Sequence, residues 1–144
     1  MKIRFLAVVL AALCASATVH AEDPTPAAPP PTSAPDAMAP VHQFLVDTEL
    51  SVVTVEGIIR LINSEVRARM DTTKETNDLK EVNEKGARGL KAALAAFEGN
   101  DSLRTALKDV RAAQIAMISG YSQETRAGLD TAIGKAKVEL ELIE

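Results

Sequence analysis

Between Val41 and Met70 apolar side chains recur every three or four residues, the period of an α-helix. On a helical wheel Val41, Phe44, Leu45, Val52, Val55, Ile58, Ile59, Ile62, Val66 and Met70 share one broad face. A second stripe lies nearly opposite, made of Val46, Leu50, Val53 and Leu61 with Gly57 among them. Glu49, Glu56, Arg60 and Arg67 separate the two on one flank, Asp47 and Glu65 on the other. A surface helix normally carries a single apolar stripe, so this one needs two covers. The run Ser-Val-Val-Thr-Val at 51–55 is rich in β-branched residues and would suit a strand. The helical period on both sides of it assigns it to helix.

Three further periodic segments follow. Asp71-Thr72-Thr73 interrupts the first, and Thr72 with Glu75 has the spacing of a capping box. The next seam is Leu79, Val82, Gly86, Leu90, Ala93 and Phe97; residues 71–85 contribute only Leu79 and Val82 to it, so this arm is either a solvated overhang or is covered by charged side chains. Glu81 with Lys85 and Glu84 with Arg88 stand at the favourable i,i+4 spacing. Gly99-Asn100 stops that helix, and Leu103, Ala106, Leu107, Val110, Ala113, Met117 and Ile118 form the buried face of the next. Gly120 either ends it, with Ser122 starting another, or is a weak point within it. Leu129, Ala132, Ile133, Ala136, Leu140 and Ile143 close the pattern, and the alternating end, residues 138–142, is taken as helix for want of a partner strand. The expected fold is therefore all-α: an elongated up-down bundle of three to four helices at about 41–70, 73–98, 101–119 and 122–142. The segment 122–143 has an apolar face of suitable length, and is expected to cover the second stripe of the first helix. Otherwise Val46, Leu50, Val53 and Leu61 form a partner interface.

Small residues add a packing expectation. Gly86, Gly89, Ala93 and Ala96 line one side of the second helix, and Ala112, Ala116 and Gly120 do so on the third. That spacing lets helix backbones approach closely.

The first 40 residues have a different character. Lys2 and Arg4 precede an apolar run from Phe5 to Val19, and Val19-His20-Ala21 is a small-residue cleavage site, so residues 1–21 read as a signal peptide. Ala15-Ser16-Ala17 competes as the site, and an uncleaved anchor is the alternative. The single cysteine, Cys14, follows Leu13 rather than the small residue a lipoprotein signal needs. Residues 22–40 hold every proline of the chain and form a Pro/Ala-rich disordered tether, leaving 41–144 as the helical domain. The expected location is outside the cytoplasm: periplasmic or extracellular.

Composition narrows function by exclusion. Loss of Lys2 and Arg4 with the signal leaves 14 basic against 20 acidic residues, a net charge of −6. There is no basic cluster for nucleic acid, and only Phe44, Phe97 and Tyr121 remain as aromatic stacking groups. Without Cys14 the chain has no thiolate metal site, disulfide or cysteine nucleophile. His42 has no clustered ligands around it. Haem held between His42 and Met38, Met70 or Met117 requires the axial pair to meet inside the bundle, and a histidine at a helix start is badly placed for that. No catalytic, cofactor or metal site is expected. Arg60, Arg67, Glu56, Glu65, Lys74, Arg88 and Arg111 are the charges available to line a cleft for a small acidic metabolite. In architecture and charge alone such a chain resembles the all-helical exported chorismate mutases, without a motif that carries any site across. The preferred expectation is a non-enzymatic helical interaction module that binds a protein partner or itself.

Overall fold

The computed structural model describes residues 36–144. The expected signal peptide and most of the expected tether lie outside the described residues. Four helices follow in order: α1 (Ala39–Ala68), α2 (Thr73–Ala96), α3 (Asp101–Ser119) and α4 (Gln123–Glu141). Among the described residues there is no strand, and no helix is long and apolar enough to cross a membrane. The fold is the expected all-α up-down bundle.

Helix α1 begins two residues before the expected 41, drawing the end of the tether into the fold. Asp36 Oδ1 accepts from the Met38 amide at 2.9 Å, Met38 is buried, and Pro40 sits in the first turn, where a missing N–H costs nothing. At the other end Arg69 adopts a left-handed conformation (φ 57°) and the Met70 amide donates to Glu65 O at 2.8 Å. The capping box expected from Thr72 and Glu75 does not form. Asp71 Oδ1 instead accepts from the Thr73 amide and hydroxyl at 2.9 and 2.6 Å, while Glu75 is buried. At the next corner Asn100 Oδ1 caps α3 through the Leu103 amide, and Arg104 Nη1 donates to the carbonyls of Leu94, on α2, and Phe97, just past its end. The helix breaks at Gly120, and Ser122 with Thr125 makes a reciprocal cap for α4.

The helices pair as two antiparallel hairpins, α1 with α2 and α3 with α4, stacked mainly through α2 on α3. Their inward stripes supply one core, which includes Phe44, Val55, Leu103, Leu107, Met117, Leu129 and Leu140. At about 1.5 Å per residue, α1 is roughly 45 Å long and α3 and α4 roughly 28 Å. The first hairpin therefore outruns the second. Val66 and Met70, expected on the buried face of α1, are each 61% exposed because no second layer reaches them. Lys85, expected to pair with Glu81, reaches across to Asp47 on α1 at 3.1 Å, whereas Glu84 and Arg88 stand 4.0 Å apart.

Candidate functional site

The second stripe of α1 is uncovered. Val46, Leu50, Val53 and Leu61 are 48, 62, 71 and 53% exposed. This corrects the expectation that the last helix would cover them. The apolar face of α4 is a single stripe, Leu129, Ile133, Ala136 and Leu140, and all of it enters the core. What α4 offers α1 is charge: Lys137 pairs with Glu49, Arg126 with Glu56, and Glu144 with His42 at 2.8 Å. These contacts hold the flank of α1 and leave its outer face to solvent.

Beside that face runs a groove of about 420 Å³ between α1 and α2. Phe44, Leu50, Ile58 and Val82 form its apolar walls, Thr48, Ser51 and Gln114 are among the buried polar residues that line it, and Asp47, Asp78, Glu81 and Lys85 carry charge along it. Gly86 and Gly89 of α2 line it as well, and buried side chains press against both. A methyl group on Gly89 would stand 3.0 Å from Phe44 Cδ2; one on Gly86 would overlap Gln114 Oε1 and come within 2.8 Å of Arg111 Nη1. Gln114 and Arg111 occupy the space that Gly86 leaves.

Those two residues are the buried polar centre of the molecule, and Gln114 is not among the expected site residues. Gln114 is 2% exposed; its Nε2 donates to Ser51 Oγ at 3.0 Å, and its Oε1 accepts from Arg111 Nη1 at 2.7 Å. Arg111 Nη2 donates to Asn83 O and Oδ1 at 2.8 and 2.6 Å. Every one of these acceptors is neutral, and burial pushes the Arg111 pKa below its usual value. Ser51 passes the chain on to Thr48 O at 2.6 Å. This network ties α1, α2 and α3 together at one level.

The small-residue expectation divides between the helices. Gly86 and Ala93 are buried and Gly89 meets Phe44, but Ala112 and Ala116 face solvent, because α3 turns the opposite side, through Leu107, Val110 and Gln114, into the bundle. The charges proposed for a metabolite cleft bond locally: Arg60 to Glu56, Lys74 to Asp78 at 2.8 Å, and Arg111 within its network. His42 is on the surface, Met117 is in the core, and Met70 is exposed. Among the described residues no cluster of three or more potential metal ligands occurs.

Two carboxyls meet at the tip of the first hairpin. Glu65 Oε2 is sealed from solvent without a partner, and Glu75 is buried. Desolvation, a hydrogen bond with Glu75 and the Glu75 and Asp71 charges push the Glu65 pKa above its ordinary 4.5, with Lys74 pulling the other way. A carboxyl with a raised folded-state pKa stabilises the fold below its unfolded value and loses that contribution as pH rises through the folded one. Acidification from neutral pH toward the ordinary carboxylate range is thus expected to slow amide exchange at residues 62–78 relative to α3, after correction for the intrinsic rate. In Glu65→Gln this difference should vanish; an unchanged pH response in that variant would show that the pair is not its source.

No protein-family model, curated protein or solved structure matches this chain.

Proposed function

We propose that the protein is an exported, non-enzymatic helical interaction module, carried on a Pro/Ala-rich tether after removal of residues 1–21, that binds a protein partner or a second copy of itself. The observation that carries this reading is the outer face of α1, where four large aliphatic side chains stand in a row, each about half or more exposed. Contiguous apolar surface of that kind costs solubility and marks contact sites in soluble proteins. The competing expectation, a small helical enzyme acting on an acidic metabolite, has less support. Asp47, Asp78 and Glu81 face a groove in which Lys85 is, among the described residues, the only cationic lining residue, a balance that repels an anion.

A photoreactive amino acid at Val53, compared with one at exposed Lys80 on α2, tests the reading in the cells that make the protein. Adducts specific to position 53 are expected, either of twice the chain mass or with a discrete second protein. Equal, diffuse labelling at the two positions would remove the interaction surface and leave the function unassigned to this face.

A further inference from the structure

Resting on that reading, we infer that the occupant of the outer face of α1 is the same face of a second copy, packed antiparallel around a two-fold axis level with residues 54–55. The first support is the pattern of the face. Val46, Leu50, Val53, Gly57, Leu61 and Ser64 all lie within about 40° of one line along the helix, and no charged residue does. All six are exposed. The strip is bulky at Val46, Leu50, Val53 and Leu61 and has one gap, at Gly57, where an added Cβ would meet nothing within 4 Å. Antiparallel pairing about residues 54–55 lays Val53 of each copy over Gly57 of the other and drops Leu61 between Val46 and Leu50. Such reciprocal seating of side chains into gaps is how helices associate face to face.

Charge supplies the second support and fixes the direction. In an antiparallel two-fold pair like flanks meet, whereas in a parallel pair opposite flanks meet. Glu49 and Arg60 share one flank, and the proposed axis brings them to the same height, Glu49 of each copy beside Arg60 of the other. Arg60 can make this contact, since its side chain is 77% exposed and its present partner, Glu56, also has Arg126, while Glu49 holds Lys137 through Oε1 and is itself 44% exposed. Parallel pairing in register instead sets Glu49 beside Asp47. On the second flank the antiparallel arrangement brings Asp47 within about one turn of the other copy's Glu65, and Lys85, already bonded to Asp47, offsets that like-charge approach.

Area sets the strength. From Val46 to Ser64 the strip is about 27 Å long on a helix about 10 Å wide, which supplies a few hundred Å² per copy. A standard stable interface takes about 800 Å² from each partner. The dimer is therefore weak and concentration-dependent, and its monomer is the compact bundle described above.

Single-cysteine variants in a Cys14→Ser chain test the arrangement. Val46→Cys and Ser64→Cys, mixed and oxidised, are expected to join to each other at least about tenfold more than either joins to itself, since the pairing puts these positions together and separates each from its own copy by more than two helical turns. Sedimentation over a concentration series should show a dimer that Arg60→Glu weakens by about tenfold and that Arg60→Glu with Glu49→Arg restores. Circular dichroism on each variant confirms that the bundle is intact. Preferential 46–46 and 64–64 disulfides would overturn the antiparallel arrangement while leaving self-association in place. A monomer at about 1 mM would overturn the second copy as occupant. In that event a foreign adduct at position 53 keeps the interaction reading, and absence of any specific adduct there removes both.

Discussion

Phe44→Ala is expected to destabilise the bundle by about 3–5 kcal/mol, the usual cost of removing a buried aromatic ring. Phe44 is 1% exposed, among the largest fully buried side chains, and its ring lies against Gly89 on α2. A domain of this size has a total stability of roughly 5–15 kcal/mol, so the variant should sit near the edge of folding at ambient temperature. The fit between ring and glycine makes a sharper test than the loss alone. Gly89→Leu in the native background overpacks the contact and should cost about 1–3 kcal/mol, even though leucine is the better helix former by nearly 1 kcal/mol. In the Phe44→Ala background the same substitution fills a vacancy, and its effect should change sign. Urea unfolding of the four proteins measures this coupling; an additive cycle would mean that Phe44 and Gly89 do not share their space.

The second large effect is expected at Gln114. Gln114→Leu keeps most of the volume but leaves Arg111 Nη1 and Ser51 Oγ without their partner inside the core. A hydrogen bond to a charged group contributes about 1.5–3 kcal/mol, and a stranded buried donor adds its desolvation cost, so a loss of about 2–4 kcal/mol is expected from denaturant midpoints. Arg111→Met should cost less. It removes the buried charge itself, and a hydrophobic side chain of similar length replaces a guanidinium whose solvation is lost on folding. If Arg111→Met proved the more damaging of the two, the guanidinium would be stabilising the core through its bonds to Asn83 rather than being tolerated there.

The helices were legible because their apolar positions keep a strict period and their ends carry ordinary stop signals, such as Gly99-Asn100 and Gly120 with Ser122. The polar centre was harder to see. Arg111 and Gln114 fall four and seven residues after Leu107, on the continuation of the apolar face of α3, and that position was the available signal. Local charge spacing suggested Glu81 for Lys85, while the fold supplies Asp47 from a different helix, 38 residues away in sequence. Thr72 and Glu75 had the right spacing for a cap and were not used as one, because Asp71 reaches the first-turn groups of α2 and Glu75 turns inward. Coverage of the second stripe on α1 depended on how many apolar faces α4 had to offer. It has one, and a periodic pattern alone does not say where that face will be spent.

The pairing of His42 with Glu144 sets the start of α1 beside the end of α4. Residues 36 and 144 consequently lie at one pole of the unit and the hairpin tip near residues 69–72 at the other. A short linker across this pole, with new termini opened at residues 69–72, should yield a circular permutant that keeps all four helices and every core contact. Any tether attached through residue 36 then carries the bundle by its base, and the outer face of α1 runs lengthwise along the side of what it carries.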